Sequence, residues 1–315
     1  MTAMDFTSGD LIADRRADYA RMLAAGSDME AAVELMEQAL ELVPAWAAGW
    51  FLLGEYREKA GLRAPAIEAY RQVLTLSKDD IFGAGLKLSI LGDRAQPANP
   101  PVAYVEQLFD DYADRFETVL VEKLEYKVPG RLSALIADKG RAHYARAIDL
   151  GCGTGLMGVE LTDRVDHLEG YDLSANMLAK AEDKGLYHRL DQADLSLGLG
   201  EARLIGPELA AGRADLVAAA DVLMYLGDLG PVLALSSALL TDGGHFAFSV
   251  EHLRDERQDF RLQPSLRYAH SPAYIARLLT SHGFTLLRAE KLVIRMDGGE
   301  PVNGILFIAE KRCSA

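Results

Sequence analysis

A glycine-rich turn in the middle of the chain constrains the fold more than any other feature. The apolar residues Ala147-Ile148 read as the end of a buried strand, and a helix-like stretch begins at Leu156. Between them lies the segment Asp149-Leu150-Gly151-Cys152-Gly153-Thr154-Gly155, with three glycines at alternate positions. Glycines at this spacing let the backbone turn sharply and approach a ligand without intervening side chains. The order of strand, glycine turn and helix predicts an α/β domain with a ligand site on the turn.

A second acidic residue stands where the next strand is expected to end. The segment Gly170-Tyr171-Asp172-Leu173-Ser174 closes an apolar stretch and precedes another helix-like segment. An acid at the tip of the second strand is what a Rossmann-like sheet uses to hold ribose hydroxyls. The glycine turn with Asp149 in front of it, together with Asp172, resembles the S-adenosylmethionine (SAM) site of the class I methyltransferases. This resemblance implies SAM as the cofactor and S-adenosylhomocysteine as its product.

Dinucleotide binding is the rival interpretation of the same turn. Gly153, Gly155 and Gly158 fit the pattern G-x-G-x-x-G, which by itself is weak evidence. Against it, the turn lies in mid-chain, and Asp149 would repel a diphosphate but attract the ammonium group of SAM. The C-terminus also reads as a strand hairpin with a reversed last strand, which is typical of the methyltransferase family. We therefore favour a methyltransferase over a dinucleotide enzyme or a glycine loop without a ligand.

The C-terminal two thirds of the sequence alternate between strand-like and helix-like segments, as in a doubly wound fold. Strands are expected at 146–150, 167–172, 186–189, 215–220, 244–250, 284–294 and 303–311, and helices at 156–164, 175–184, 204–211, 229–240 and 272–282. This alternation predicts a Rossmann-like, seven-stranded domain over residues 102–315, and the resemblance described above implies that it is a class I methyltransferase domain.

Ligands of open α/β sheets gather at the carboxyl ends of the strands, and acids occupy four of these predicted tips. They are Asp149, Asp172, Asp194 and Asp221. In similar enzymes the acid after the third strand accepts a hydrogen bond from the adenine amino group, and the next residue packs on the ring. Each acid could instead cap the helix that follows it. The residues predicted to bind the cofactor are Asp149, Gly151, Cys152, Gly153, Gly155, Asp172, Leu173, Ser174, Met177, Asp194, Leu195, Asp221, Val222, Tyr112 and Phe116.

A helix-like segment, 102–117, precedes this domain core. It resembles the F-D-x-x-A-x-x-Y/F-D segment that forms a lid helix over cofactor and substrate in many small-molecule methyltransferases. The resemblance places Phe116 at the aromatic position, with Tyr112 one turn earlier on a similar face. The alternative is that these aromatic side chains only hold the helix against the core. We expect lid helices over 102–130.

The methyl acceptor is expected near the end of the fifth strand and under the lid. A long polar insertion, 253–271, follows that strand, and polar stretches of this length are usually functional or mobile. Histidine titrates near neutrality, which makes a histidine here a candidate general base. No metal is predicted, because His, Asp and Glu do not cluster at ligand spacing. The predicted catalytic residues are His252, Tyr268 and His270, and the predicted substrate contacts are Tyr225, Arg261 and Arg267.

The N-terminal region contains an internal repeat with a period of about 34 residues. Written over 13–46 and 47–80, the two copies match at three pairs of positions: Ala32 and Ala66, Met36 and Tyr70, Ala39 and Val73. This pattern resembles tetratricopeptide repeats, and the alternative is an ordinary helical bundle. We predict an all-α repeat domain over 1–92 and a proline-rich linker at 93–101. Together with the lid, these repeats resemble a bacterial family of methyltransferases that carry them.

A repeat stack this short is expected to dock on the catalytic domain, on a second copy of itself or on a protein partner. Other partners are disfavoured by charge and hydropathy. A net charge of −14 argues against a nucleic-acid partner, which usually needs a basic surface. The longest apolar stretch, 216–226, is too short to span a bilayer, and the first ten residues lack the apolar core of a signal peptide. We therefore expect a cytoplasmic protein without membrane association.

Three functions of different classes remain open. The first is an O-, N- or C-methyltransferase for a small-molecule acceptor, favoured because the lid would close the site. The second is a protein methyltransferase whose repeats recruit the target. The third is a SAM-binding scaffold without turnover. A sealed pocket would favour the first, and an open groove leading to Asp221 the second. The sequence leaves open which acceptor and which atom is methylated.

Overall fold

The computed structural model describes residues 7–113, 126–207 and 209–313. The chain divides into two compact units, Met1–Gln107 with Pro264–Leu266, and Leu108–Gln263 with Arg267–Ala315. The predicted linker at 93–101 falls inside the first unit, and the domain bounds given above stay a prediction.

The N-terminal unit is helical. Small and bulky side chains alternate in its core, since all six residues of the matched repeat positions are 0% exposed. Gly54 shows how closely the helices pack, because an added Cβ there would lie 2.6 Å from the ring of Tyr70. The predicted helical character is confirmed, while the assignment to tetratricopeptide repeats stays a prediction. The helices are α1 (Leu11–Ala25), α2 (Met29–Leu42), α3 (Ala47–Lys59), α4 (Arg63–Leu76) and α5 (Ala84–Ile90).

The rest of the chain alternates between strands and helices. A helix, α6 (Val102–Tyr112), begins in the last residues of the first unit, and the next described helix is α7 (Val128–Lys139). The remaining elements are β1 (Tyr144–Leu150), α8 (Leu156–Leu161), β2 (Val165–Asp172), α9 (Ala175–Asp183), β3 (Arg189–Gln192), β4 (Ala214–Ala219), α10 (Gly230–Leu239), β5 (Leu240–His252), β6 (Phe260–Leu262), β7 (Tyr268–His270), α11 (Pro272–Ser281), β8 (Phe284–Asp297) and β9 (Glu300–Lys311).

The strands form one mixed sheet. Five of them are parallel in the order β3-β2-β1-β4-β5, and β9 pairs antiparallel with both β5 and β8. The predicted C-terminal hairpin and its reversed last strand are confirmed. The sheet has nine strands in the described residues rather than the predicted seven. The additional pair, β6 and β7, is a hairpin within the polar insertion 253–271, and β7 pairs with the end of β5.

The central strands are buried on both faces, as expected for parallel strands covered by helices. In β1, Ile148 and Leu150 pack in one hydrophobic cluster, whereas Ala147 packs in another on the opposite face. Helices α10 and α11 contribute to the first cluster, and α7 and α8 contribute to the second. The predicted Rossmann-like architecture is therefore confirmed.

Two predicted elements differ from the structure. The prediction of a helix at 204–211 is wrong, because residues 204–207 and 209–211 form bends, turns and an isolated bridge between Gly206 and Leu209. Gly206-Pro207 explains the difference, since proline in a helix interior lacks the required N–H and clashes with the preceding turn. The third strand lies at Arg189–Gln192, not at 186–189.

Two features are absent from the described ranges. No helix in them is both long enough and apolar enough to cross a membrane. In the same ranges, no three His, Cys, Asp or Glu side chains are arranged to hold a metal ion.

Candidate active site

The glycine turn lies at the carboxyl end of β1, where the strand order reverses. β1 pairs in parallel with β2 on one side and with β4 on the other, and such a reversal opens a ligand crevice. All three turn glycines have positive φ: Gly151 at +68°, Gly153 at +54° and Gly155 at +91°. An added Cβ at Gly151 would also lie 2.3 Å from Val222 Cγ2. The turn therefore requires glycine for its conformation and, at Gly151, for space.

Asp172 ties the end of β2 to this turn. Its Oδ2 accepts a hydrogen bond from the Gly153 N–H at 2.8 Å, and its Oδ1 accepts one from the Ser174 N–H at 2.9 Å. Burial raises the pKa of the carboxyl to about 6, although these backbone donors act in the opposite direction. Carboxylate oxygens have further lone pairs, so Asp172 retains acceptor capacity for ribose hydroxyls. The geometry is compatible with the predicted ribose contact. It also gives Asp172 a second role, since its bond from Gly153 holds the glycine turn in place.

Asp149 is fully buried, and its partner is a tyrosine from another loop. The Tyr187 hydroxyl donates to Asp149 Oδ2 at 2.8 Å. Asp149 Oδ1 has no hydrogen-bond partner among the residues that the structure describes. Burial raises the pKa of Asp149 to about 7, and the bond from Tyr187 opposes that rise. Buried acceptors without a donor are rare, and the ammonium group of SAM would supply a donor of the complementary charge.

Four of the other residues predicted to bind the cofactor lie on the turn or at the start of α9. The Ser174 hydroxyl accepts from the Met177 N–H at 3.1 Å, which caps α9, and donates to Asp110 Oδ1 at 2.5 Å. Leu173 is half-buried beside them. Cys152 is buried in the turn, and burial raises the pKa of its thiol well above the usual value. The Cys152 thiol therefore stays protonated and packs.

The predicted adenine contact follows β3. Asp194 Oδ1 accepts hydrogen bonds from the Ser196 N–H at 2.8 Å and from the Ser196 hydroxyl at 2.6 Å, which closes a tight turn. Leu195 is buried in the core. An adenine contact would have to use the other carboxylate oxygen, Oδ2. Of the predicted lid contacts, Tyr112 ends α6, whereas Phe116 lies outside the described residues.

Asp221, just after β4, belongs to a buried network of charges. Its φ is +56°, which is uncommon for a residue other than glycine, and its N–H donates to Ser249 Oγ at 2.8 Å. Arg295 Nη1 lies 3.0 Å from both oxygens of Asp221, and Arg295 Nη2 donates to Glu251. Burial raises the pKa of Asp221 and that of Glu251, and the charge of Arg295 opposes both rises. Arg295 itself is 3% exposed.

The sequence patterns do not predict Tyr187 or Arg295 as residues of the site. Arg295 stands between the apolar residues Leu292-Val293-Ile294 and Met296, and a charge within this apolar stretch is the signal that marks it. The signal for Tyr187 is weaker and indirect. Gly158 lies inside a helix and Gly170 inside a strand, where glycine is unfavourable, and glycines at such positions indicate that another group packs closely against them.

An aromatic and cationic wall adjoins the Asp221 network. The ring of Tyr225 packs edge-on against Phe109 of α6, with ring centroids 4.9 Å apart. Arg267 Nε donates to the Tyr225 hydroxyl at 3.3 Å, and Arg267 Nη1 pairs with Asp297 at 3.0 Å. Two of the three predicted substrate contacts are thus brought together, whereas Arg261 is exposed on β6.

The three predicted catalytic residues lie in different environments. His252 ends β5 and is half-buried, and burial lowers its pKa. Tyr268 and His270 are 0% exposed on β7. His270 Nε2 donates to the carbonyl of Gly227 at 3.1 Å, and burial lowers the pKa of this histidine to about 4. His270 is therefore neutral and enclosed, whereas His252 retains contact with solvent.

Known proteins resemble this chain in sequence and in fold. An O-methyltransferase of ubiquinone biosynthesis from Marinobacter nauticus is 31% identical over 105 residues, which cover 33% of this chain and 43% of the relative. Its counterpart from Ralstonia nicotianae is 26% identical over 110 residues, covering 34% and 43%. The chain thus spans less than half the length of these curated relatives.

A solved structure has the same fold. It is the putative methyltransferase in a complex with the Trm112 methyltransferase activator of Haloferax volcanii, with 15% identity and a TM-score of 0.51. The match covers 65% of this chain and 98% of that one. A family profile described as a methyltransferase domain matches residues 104–289, which is more than half of the chain. The chain therefore belongs to the methyltransferase domain family, and residues 104–289 are its methyltransferase domain.

Proposed function

We propose that the protein transfers the methyl group of SAM to a small-molecule acceptor held beneath a lid formed by residues 102–130. The observation that carries this proposal is the packing of Phe109, on α6, against Tyr225 beyond the end of β4. A helix over this end of the sheet favours a closed site, which suits a small acceptor better than a protein chain. The relatives named as ubiquinone biosynthesis O-methyltransferases also support a small acceptor.

The residues at the strand ends suit SAM in charge and in space. SAM brings a methyl group already activated by its sulfonium, so the protein has to bind, orient and exclude water. In this proposal Asp149 meets the ammonium group, Asp172 accepts from the ribose hydroxyls, and Asp194 with Leu195 holds the adenine. The buried Asp149 Oδ1 without a donor supports the first of these contacts. The glycine turn allows the close backbone approach that the ligand needs.

The wall of Tyr225 and Arg267 suits an acceptor that is phenolic or acidic. A guanidinium forms strong, geometrically specific bonds with anionic oxygens, and an aromatic ring offers a stacking surface. The present partner of Arg267, Asp297, has a side chain that is 48% exposed. Ion pairs this exposed contribute little stability. Arg267 can therefore exchange Asp297 for an anionic group of the acceptor at small cost.

We assign the acceptance of the acceptor's proton to His252. It follows Glu251, which is held in the Arg295 network, so its backbone is well anchored. Its lowered pKa keeps the imidazole neutral at neutral pH, as a general base requires. His270 suits this role less well, because it is enclosed and its Nε2 is engaged with a backbone carbonyl.

We also infer that the N-terminal helices are tetratricopeptide repeats, with the repeat domain over 1–92, the linker at 93–101 and the catalytic domain over 102–315. The complete burial of the matched repeat positions supports this assignment. Such repeats would bind a protein partner or a second copy of the chain.

Incubation with methyl-labelled SAM and a cell extract, followed by separation of small molecules from protein, tests the function. We expect label in the small-molecule fraction with the native protein and much less with Asp172→Ala at low SAM concentration. Label in the protein fraction would instead support a protein methyltransferase whose repeats recruit the target. A protein that binds S-adenosylhomocysteine but transfers label to neither fraction would be a SAM-binding scaffold.

A further inference from the structure

Tyr187 occupies a cradle that is built from glycines. It lies in the loop between α9 and β3, and its ring packs where an added Cβ would meet it at three places. These Cβ atoms would lie 3.0 Å from the ring at Gly155, 2.4 Å from the hydroxyl at Gly158 and 2.7 Å from the ring at Gly170. Three glycines on three elements therefore leave room for one aromatic side chain, which holds the hydroxyl in place.

The Tyr187 hydroxyl is held against Asp149, the acid in front of the glycine turn. It donates to Asp149 Oδ2 at 2.8 Å, while Oδ1 of the same carboxyl has no donor in the described part of the chain. Asp149 is 0% exposed, so bulk solvent does not reach that oxygen. The carboxyl is thus oriented through one oxygen and unsatisfied at the other.

A tyrosine partner has a different effect from an arginine partner. At Asp221, Arg295 binds both carboxylate oxygens and neutralises their charge. At Asp149, the neutral hydroxyl of Tyr187 orients the carboxylate and leaves its negative charge in place. A buried carboxylate that is oriented but not neutralised is prepared for a cation from a ligand. The amino-acid arm of SAM carries such a cation, its ammonium group.

We propose that Tyr187 is a positioning residue that orients Asp149 for the ammonium group of the cofactor and so sets how tightly the amino-acid arm is held. The proposal rests on SAM as the cofactor. Tyr187 acts through Asp149 and does not itself touch the cofactor. The cradle of Gly155, Gly158 and Gly170 belongs to the same device, because it positions the hydroxyl.

The pH dependence of binding follows from the groups that face Asp149. These are Tyr187, Asp172, Cys152 and Tyr126. The two tyrosines and the cysteine have raised pKa values and stay neutral below pH 9, so only the two carboxyls titrate between pH 5 and 8. The ammonium needs ionised Asp149, so affinity is lost as the pH falls through its pKa of about 7. Ribose contacts depend on Asp172, whose pKa is about 6.

Two probes separate these contributions in the full-length protein. S-adenosylhomocysteine carries the amino-acid arm, and 5′-methylthioadenosine has the same adenosine and thioether without it. Titration calorimetry should show that Tyr187→Phe weakens the binding of S-adenosylhomocysteine about tenfold at about pH 8. The affinity for 5′-methylthioadenosine should change less than about twofold. The pH at which S-adenosylhomocysteine binding is lost should also rise, because the hydrogen bond that lowers the Asp149 pKa is gone.

Two further variants act on the same pair by different routes. Gly158→Ala improves helix propensity in α8 but places a methyl group against the Tyr187 hydroxyl, so it should reproduce the selective loss. Asp149→Asn should remove the step in affinity near pH 7 for S-adenosylhomocysteine and leave 5′-methylthioadenosine unchanged. Tyr171→Phe is the matched control, because it removes another buried hydroxyl that donates to a carboxylate, Glu169, at 2.9 Å. This control should leave the ratio of the two affinities unchanged.

The relative loss of affinity for the two probes decides between the possible roles of Tyr187. Selective loss of S-adenosylhomocysteine affinity in Tyr187→Phe supports the proposal. If Tyr187→Phe does not fold, the same selective loss in Gly158→Ala and Asp149→Asn supports it. Parallel loss of both probes, or no loss of either, overturns it, because Tyr187 would then only support the fold. Failure of the native protein to bind either probe would instead overturn SAM as the cofactor.

Discussion

Removal of Arg295 tests the buried network at the end of β4. In Arg295→Met the cation disappears while a side chain of similar length still fills the space. Asp221 loses the Nη1 group that lies 3.0 Å from both its oxygens, and Glu251 loses its bond to Nη2. Asp221 and Glu251, whose side chains are 9% exposed or less, lose the cation that pairs with them, and Arg267 remains as the nearby positive charge.

The expected loss of stability is large. Removing one partner of a buried ion pair costs about 3–5 kcal/mol, because the remaining charge is buried and unpaired. For a domain of this size, about 2–4 °C of melting temperature corresponds to each kcal/mol, so the midpoint should fall by about 6–20 °C.

The loss should also depend on pH. Burial already raises the pKa values of Asp221 and Glu251, and without Arg295 both rise further. In the unfolded chain these carboxyls have their ordinary pKa of about 4 and release their protons above that pH, whereas the folded variant still binds them. The stability of the variant therefore falls as the pH rises above that value, and its deficit against the native protein is smaller near pH 5 than near pH 8.

Urea unfolding followed by far-ultraviolet circular dichroism at both pH values measures this deficit. Fluorescence is unsuitable, because Trp46 and Trp50 are the only two tryptophans and both belong to the N-terminal unit. Arg131→Met is the matched control, since it breaks an ion pair between α7 and β8 in which the arginine side chain is 54% exposed. Such a surface pair contributes about 0–1 kcal/mol. If Arg295→Met were no more destabilising than this control near pH 8, the reasoning about the buried network would be refuted.

Three further predictions concern the cofactor site and its surroundings. Asp172→Ala should weaken S-adenosylhomocysteine tenfold or more by calorimetry, because the ribose acceptor and the support of Gly153 are both lost at about 1.5–3 kcal/mol per charged hydrogen bond; unchanged affinity would remove the ribose assignment. If 102–130 is a lid, its amides should exchange more slowly with S-adenosylhomocysteine bound than without it, and equal protection in both states would indicate a fixed helix. A truncated chain that starts at Pro100 should bind the same ligand within a few-fold, because 1–92 carries none of the residues at the strand ends; a folded truncation that does not bind would show that the repeats complete the site.

Local sequence patterns predict the parts of this protein whose structure depends on neighbouring residues. The glycine turn is an example, since three alternate glycines after an apolar strand are needed for the positive φ values observed. The C-terminal hairpin is another, because Gly298-Gly299 joins two strand-like runs. The helix expected at 204–211 fails for an equally local reason, as Gly206-Pro207 outweighs the apolar periodicity around it. The short strands β6 and β7 escape prediction because they pair with each other and with β5 across a polar segment.

The sequence by itself determined the family of the fold, the glycine turn and the acids at the strand ends. Only the tertiary structure decided which side chains meet those acids. Tyr187 and Asp149 are 38 residues apart, and Arg295 and Asp221 are 74 residues apart. Periodicity and turn signals report on contacts within a few residues, whereas these pairs depend on which strands become neighbours in the sheet. The same residue type, aspartate at a strand end, is therefore paired with a neutral hydroxyl at one position and with a cation at the other.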